Sequence, residues 1–183
     1  AADFLLQGSE GGGLRHDARR DRPGGPAFAE DYAYVGWGLI ELYEATFEPR
    51  YLREAFRLTD ELLAGFWEAE AGGGAALYLS ARDAQTVLVR PRSDHDGALP
   101  SATSVAVLNL LRLARIRQSR DYEDKALGLL RSLTPLVERH PRAFGFLLWG
   151  VDFLLGPSCE VVIAGDPARA DTQALAGAAR REF

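Results

Sequence analysis

The stretch Leu39-Ile-Glu-Leu-Tyr-Glu-Ala-Thr-Phe-Glu-Pro-Arg-Tyr-Leu-Arg-Glu-Ala-Phe-Arg-Leu58 contains the pattern that decides the fold of this chain. Apolar residues recur at spacings of three and four on both sides of Pro49, which is typical of helices that bury one face. Pro49 interrupts the first of these patterns, so that only a short turn joins the two. The stretch therefore predicts a helical hairpin with antiparallel arms.

The same pattern returns 71 residues further along the chain. Leu39, Leu42, Tyr51, Ala55 and Leu58 align with Leu110, Leu113, Tyr122, Ala126 and Leu129. Repeated supersecondary units usually stack on one another. The sequence thus predicts two stacked hairpins, the second formed by helices at about 100–116 and 122–139.

Shorter patterns lie between and after the hairpins. Leu77, Leu79 and residues 86–89 favour two short strands with their turn at 81–85. Residues 142–155 predict a fifth helix that is apolar on nearly all sides, which should be enclosed by neighbours in this chain or in the intact protein. Residues 160–165 indicate a short buried strand, and another helical segment begins at 166. The predicted fold is mainly all-α, with a small β-hairpin and a short C-terminal strand.

Composition limits the class of protein. The 183 residues, 47% of them hydrophobic, are enough for one core, so we predict a single domain over 1–183. The net charge is −5 and the basic residues are scattered among acids, which argues against nucleic-acid binding. The single cysteine, Cys159, excludes an internal disulfide and sites built from several thiolates.

The same sequence gives expectations about location and completeness. No apolar run reaches the roughly 20 residues that cross a bilayer, and the first residues lack a signal-peptide pattern. We therefore expect a cytoplasmic protein without membrane contact. Because the chain contains no methionine and both ends are abrupt, we also expect it to be a fragment of a longer protein.

Polar residues concentrate in the loop 90–104, where a histidine, arginines and two aspartates precede a helix start. Asp96 and Asp31 are the candidate catalytic acids, because glycoside hydrolysis uses paired carboxylates. Asp31 equally suits a helix cap or a favourable charge for the helix dipole. His95 is a candidate base, since an epimerase needs a group that titrates near neutral pH, although a lone loop histidine is more often simply exposed.

The other candidates are predicted to bind substrate. Tyr32 and Tyr34 both suit stacking on a sugar ring, but aromatic residues at helical spacing more often belong to the core, which we favour for Tyr34. Arg92 suits an anionic group on a ligand, or pairs with Asp94 and Asp96. Asp94 and Ser101 complete the candidate cavity, with Ser101 also placed to cap the third helix. Histidine spacing supports no metal site, and no nucleotide-binding motif predicts a cofactor.

Five motifs in order carry a resemblance to a known family: Phe28-Ala-Glu-Asp-Tyr-Ala-Tyr34, Leu42-Tyr-Glu-Ala-Thr46, Tyr51-Leu-Arg-Glu-Ala55, Asp96-Gly-Ala-Leu-Pro-Ser101 and Glu160-Val-Val-Ile-Ala-Gly165. The chain resembles the C-terminal half of the YyaL-like proteins, also called spermatogenesis-associated thioredoxin-domain proteins. The resemblance implies an upstream thioredoxin-like domain. It also implies that the chain is part of an (α/α) toroid similar to six-hairpin glycosidases and N-acylglucosamine 2-epimerases.

The chain departs from the family pattern at Leu99, where an acidic residue is usual, and at Thr103, where asparagine is usual. The resemblance implies a carbohydrate ligand and a carbohydrate-processing or carbohydrate-binding domain whose reaction is unassigned. The departures favour a competing hypothesis, a noncatalytic scaffold that accompanies the thioredoxin-like domain. We expect an enzyme to gather Asp31 and Asp96 around one polar pocket, and Asp96→Ala to leave folding largely intact.

Overall fold

The computed structural model describes residues 2–7, 13–17, 24–84, 88–157 and 161–182. These residues are mainly helical, which confirms the predicted all-α class. The α-helices of this part of the chain are α1 (Ala2–Gln7), α2 (Ala29–Thr46), α3 (Pro49–Phe66), α4 (Ala102–Arg117), α5 (Arg120–Arg139), α6 (Gly145–Leu155) and α7 (Ala170–Glu182). Two small antiparallel sheets pair β1 (Arg15–His16) with β2 (Gly25–Pro26) and β3 (Trp67–Ala69) with β4 (Ala75–Leu77).

The two predicted hairpins are present as α2 with α3 and α4 with α5, each pair packed together. The repeat extends to the turns, because Phe47 and Gln118, which lie 71 residues apart, both end a helix in the left-handed conformation. Their φ angles are 55° and 52°. The backbone N–H of Phe47 donates to a carbonyl in the last turn of α2, and that of Gln118 donates in the same way in α4. These bonds close the two helix ends.

The core lies where the repeated apolar positions meet. Leu39, Ala55, Leu58, Leu110, Leu113, Ala126 and Leu129 are each at most 1% exposed. The first helices of the two hairpins pack on each other, and α4 also packs on α6. The helices α2, α4 and α6 thus follow one another as neighbours in space, with α4 in the middle.

The predicted strand pairing after α3 is wrong. Leu77 does lie in a strand, but it pairs with Trp67 at the end of α3. Gly72 and Gly73 adopt φ angles of 72° and 78°, which glycine reaches without strain, and they reverse the chain between β3 and β4. Of the other predicted strand, residues 86 and 87 lie outside the described residues, while Leu88 and Val89 form a bend and are 103% and 78% exposed.

The predicted buried strand at 160–165 is wrong as well. Glu160 lies outside the described residues, and 161–164 have no regular structure. Val161 and Val162 are 58% and 85% exposed, and no strand edge in the described ranges lies beside them to complete a ladder. A turn precedes the following helix, which begins at Ala170, and in this turn the carboxylate of Asp166 accepts the backbone N–H of Ala168.

The apolar fifth helix is confirmed as α6, which follows a 3₁₀ turn at Pro141–Phe144. Among the described residues the helix is enclosed on one side only, so its enclosure in the intact protein stays a prediction. Leu147 and Gly150 are buried, whereas Leu148, Trp149 and Leu155 are exposed, because only one side of the helix meets α4.

None of the helices in the described ranges has the length and apolarity that a bilayer span requires. The cytoplasmic location and the extent of the domain stay predictions.

Candidate functional site

Asp31 lies in the first turn of α2 and acts there as a cap. Its Oδ2 accepts the backbone N–H of Phe28 at 2.8 Å, and the Nδ1 of His16 lies 3.0 Å from the same oxygen. The side chain of Asp31 is 26% exposed. A carboxylate at this end of a helix is stabilised by the free N–H groups of the first turn. The contacts therefore fit the capping alternative, and the role of Asp31 as an acid stays a prediction.

Tyr32 is enclosed in the core. Its ring centroid lies 5.4 Å from that of Phe66, and its hydroxyl oxygen accepts the backbone N–H of Leu14 at 3.2 Å. Burial is the main cause that raises the pKa of the Tyr32 hydroxyl. A Cβ at Gly13 would come within 2.8 Å of the same oxygen. Tyr32 thus anchors the segment 13–17 on α2, and its position matches the core alternative.

Asp94 and Arg92 are held by each other and by their neighbours. Asp94 Oδ1 accepts the hydroxyl of Thr103 at 3.0 Å, and its Oδ2 lies 2.9 Å from Arg92 Nε. Arg92 also donates from Nη1 to Glu70 at 3.0 Å. The guanidinium of Arg92 therefore contacts two carboxylates of the chain itself. Thr103, one of the departures from the family pattern, has a structural part in this arrangement.

Ser101 is the N-cap of α4. Its Oγ accepts the backbone N–H of Ser104 at 3.0 Å and donates to Ser104 Oγ at 2.8 Å. The side chain is buried, with only 2% of the residue exposed. The capping role suggested by the sequence is therefore present in the structure.

We expect Ser101→Ala to lower the free energy of unfolding by about 1.5 kcal/mol, because it removes a buried N-cap. Ser119→Ala is the matched control. Ser119 caps α5 through a longer contact of 3.4 Å to Tyr122 N and is less buried, so a smaller loss is expected. Urea denaturation of the three proteins provides the measurement. Equal losses for the two variants would argue against a special contribution of the buried cap.

Asp96 connects the starts of two helices. Its Oδ1 accepts the backbone N–H of Ser101 at 2.8 Å, where α4 begins. Its Oδ2 accepts the N–H groups of Phe146 and Leu147 at 2.8 and 3.2 Å, in the first turn of α6. The backbone N–H of Asp96 in turn donates to Ala143 O at 2.8 Å. The carboxylate therefore satisfies three main-chain donors, two of which a helix leaves without an internal partner.

His95 projects from the same loop and is exposed. Its ring centroid lies 5.2 Å from that of the buried Phe144, at an interplanar angle of 39°. This position agrees with the alternative that the histidine is simply a surface residue of the loop. Its role as a base stays a prediction.

The two predicted acids contact different parts of the molecule. Asp31 bonds to Phe28 and His16, whereas Asp96 bonds to the starts of α4 and α6. A shallow surface depression lies beside α3 and β3, and its lining residues are Leu63, Ala64, Trp67, Glu68, Ala69 and Arg82. This depression includes none of the predicted site residues.

Sequence reasoning did not single out Glu30 and gave Tyr34 to the core. Tyr34 donates its hydroxyl hydrogen to Pro100 O at 2.5 Å. Its pKa is raised first by burial and then by the negative charges of Glu30 and Asp96. Glu30 is exposed and has no hydrogen-bond partner among the described residues. The i, i+4 spacing of Glu30 and Tyr34 on α2 was the available signal.

Within the described ranges, no group of three or more His, Cys, Asp and Glu side chains is arranged to hold a metal ion. The carboxylates of the polar loop instead meet N–H groups, a hydroxyl and Arg92.

Comparison with known proteins finds relatives for most of the chain. It is 38% identical over 149 residues to spermatogenesis-associated protein 20 of Rattus norvegicus, a match that covers 81% of this chain and 18% of the rat protein. The human protein of the same name is 36% identical over 156 residues, covering 81% of this chain and 19% of its own length. An uncharacterized protein of Caenorhabditis elegans is 32% identical over 141 residues, which cover 77% of this chain and 19% of the nematode protein.

These matches agree with the resemblance to spermatogenesis-associated proteins that the five motifs carry. The chain spans about a fifth of the length of the curated relatives it matches. No protein-family profile matches the chain. The names of these relatives state no activity, and the glycosidase-like toroid stays a prediction.

Proposed function

We propose that this chain is a noncatalytic scaffold segment of a longer protein, in which stacked helical hairpins support another domain or partner. The observation that carries the proposal is the engagement of Asp96, whose two carboxylate oxygens accept three backbone N–H groups from two helix starts. A general acid must instead present its carboxyl to the substrate. The Asp96 carboxylate joins α4 to α6 and therefore has a structural role.

The other predicted site residues support the same proposal. Asp31 caps α2, Ser101 caps α4, and Tyr32 packs on Phe66. The curated relatives are about five times longer than the matched segment, which leaves room for the thioredoxin-like domain that the sequence resemblance implies. In this proposal the hairpins accompany that domain and perform no reaction themselves.

A carbohydrate-binding or carbohydrate-processing (α/α) toroid, glycosidase-like or epimerase-like, is the second candidate. The observation that favours it is the exposed carboxylate of Glu30, which has no hydrogen-bond partner in the described ranges and whose negative charge contributes, after burial, to the raised pKa of Tyr34. In this proposal Glu30 replaces Asp31 as the available acid. A free carboxylate and a hydroxyl are groups that bond sugar hydroxyls.

Thermal unfolding in the presence of a panel of monosaccharides and disaccharides separates the two candidates. The scaffold proposal expects the same melting temperature with and without each sugar, since nothing binds the native state preferentially. A sugar at about 100 times its dissociation constant would stabilise the protein by about 2.7 kcal/mol.

The matched variants for this experiment are Glu30→Gln and Glu138→Gln. Glu138 is an exposed residue of α5, and its charge is not among those that raise the pKa of Tyr34. A sugar-dependent stabilisation that is lost in Glu30→Gln and retained in Glu138→Gln would overturn the scaffold proposal and support the carbohydrate site.

A further inference from the structure

The side of α6 that faces away from α4 forms a continuous exposed stripe. Gly145, Leu148, Trp149, Asp152 and Leu155 are all exposed and follow the spacing of three and four residues that places them on one helix face. Trp149 is 51% exposed and Leu155 is 78% exposed. The opposite side is packed, since a Cβ at Gly150 would lie 3.3 Å from Val107 of α4. The stripe is therefore an apolar surface with one acidic residue, Asp152, in the last turn of the helix.

The charges on this surface are unfavourable for the helix that carries them. Asp152 lies in the last turn of α6, where the helix dipole is negative, and Arg142 lies in the 3₁₀ turn just before the positive N-terminus. Both side chains are exposed, and neither has a side-chain partner in the described part of the chain. Against an antiparallel neighbour of identical sequence, Asp152 would lie at the positive end of the neighbouring helix and Arg142 at its negative end.

We propose that the exposed stripe of α6 is a self-association surface, on which a second copy of this chain packs with its own α6 antiparallel. Centring the contact between Leu148 and Trp149 places Gly145 level with Asp152 of the second copy. Gly145 leaves open space, because a Cβ there would meet nothing within 4 Å. The Trp149 indole of the second copy lies within one helical turn of this space and fills it.

The register also pairs the charges. Asp152 of each copy lies at the N-terminal end of the other α6, within reach of Arg142 there, and Arg142 lies at the C-terminal end of the other α6. Because the contact is twofold symmetric, this pair forms twice. Each charge then sits at the helix end whose dipole favours it. The charge arrangement favours a second copy over an uncharged apolar partner.

One helix pair buries less surface than standard stable interfaces, so the complex is expected to be weak, with a dissociation constant on the order of 10–100 µM. Sedimentation equilibrium of the 183-residue chain over a concentration range that brackets this value measures it directly. A monomer–dimer equilibrium is expected. Trp149→Ala should weaken the dimer by about tenfold or more, since a central aromatic residue usually dominates such contacts.

Charge reversal provides the specific test. Asp152→Arg and Arg142→Asp should each weaken the dimer by about tenfold, because each brings like charges together, and the double variant should regain most of the loss. Asp83→Arg and Arg181→Asp, exposed residues outside α6, are the charge-matched controls and should leave the dimer unchanged.

Circular dichroism and thermal unfolding of every variant establish that α6 and the hairpins remain folded, so that a changed dissociation constant reports on the contact. A chain that stays monomeric throughout the concentration range would overturn the proposal and leave the stripe to a different partner. Self-association that persists in Trp149→Ala, or a double charge variant no better than the single ones, would overturn it equally.

Discussion

Asp96→Ala is expected to lower the free energy of unfolding by about 3 kcal/mol, because it removes a charged acceptor from three backbone N–H groups. Ser101 N loses its partner at the start of α4, and Phe146 N and Leu147 N lose theirs at the start of α6. These donors lie in a partly buried junction, where water replaces the carboxylate incompletely. Urea denaturation followed by circular dichroism measures the loss.

Two control variants separate the effect of the lost hydrogen bonds from the effect of the lost negative charge. Asp96→Asn keeps one acceptor oxygen but turns an amide donor toward the remaining N–H groups, so an intermediate loss is expected. Asp83→Ala removes an exposed turn carboxylate and should change stability by less than about 0.5 kcal/mol. Hydrogen exchange at Phe146 and Leu147 should accelerate in Asp96→Ala, and unchanged exchange with an unchanged midpoint would show that the carboxylate contributes nothing to the junction.

This expected result revises the hypothesis that Asp96→Ala leaves folding intact. The sequence places an aspartate a few residues before a helix start, which fits both a cap and a catalytic acid. The deciding contacts come from Phe146 and Leu147, which lie 50 and 51 residues away along the chain. No local pattern indicates which distant N–H groups a loop carboxylate will meet, so the location was predictable and the role was not.

The helical part of the fold was predictable because its periodicity is strong and repeated. The helix predicted at 100–116 is found at Ala102–Arg117, and the one predicted at 122–139 is found at Arg120–Arg139. Both helices bury apolar residues at helical spacing, and the sequence shows this spacing directly. The left-handed conformation of the equivalent residues Phe47 and Gln118 was not predictable, because neither residue type by itself indicates that conformation.

The strand predictions were wrong for a different reason. A short apolar run indicates a strand only when another strand is available to complete its hydrogen bonds. Leu77 finds Trp67 because the glycine turn brings them together, whereas Leu88 and Val162 are exposed and have no ladder within the described residues. Pairing is a tertiary property, and for runs this short the sequence carries little information about it.

A polar contact inside the helical core is another feature that the spacing of apolar residues does not predict. Asn109 lies on α4 at the contact with α2 and is 3% exposed. Its Nδ2 donates to Ala33 O at 2.8 Å, while its Oδ1 is buried with no hydrogen-bond partner among the described residues. Gly36 allows the close approach, because a Cβ there would lie 3.4 Å from the same nitrogen. The two hairpins therefore meet around one amide whose donor is used and whose acceptor is not.

Asn109→Asp is accordingly expected to lower the free energy of unfolding by about 4 kcal/mol at neutral pH. The substitution replaces the donor to Ala33 O by an oxygen, so that two acceptors face each other, and it buries a charge with no partner. The loss should shrink at acidic pH, since the neutral acid is less costly to bury than the carboxylate.

Asn109→Ala is the control, because it removes the same hydrogen bond without adding a charge. A loss of about 1.5 kcal/mol is expected for it, from the missing bond and a small cavity. Chemical denaturation at neutral and acidic pH measures all three proteins. If Asn109→Asp and Asn109→Ala were equally stable at neutral pH, the α2–α4 contact would have to admit water at this position, and the stacking of the two hairpins would be looser than the buried amide implies.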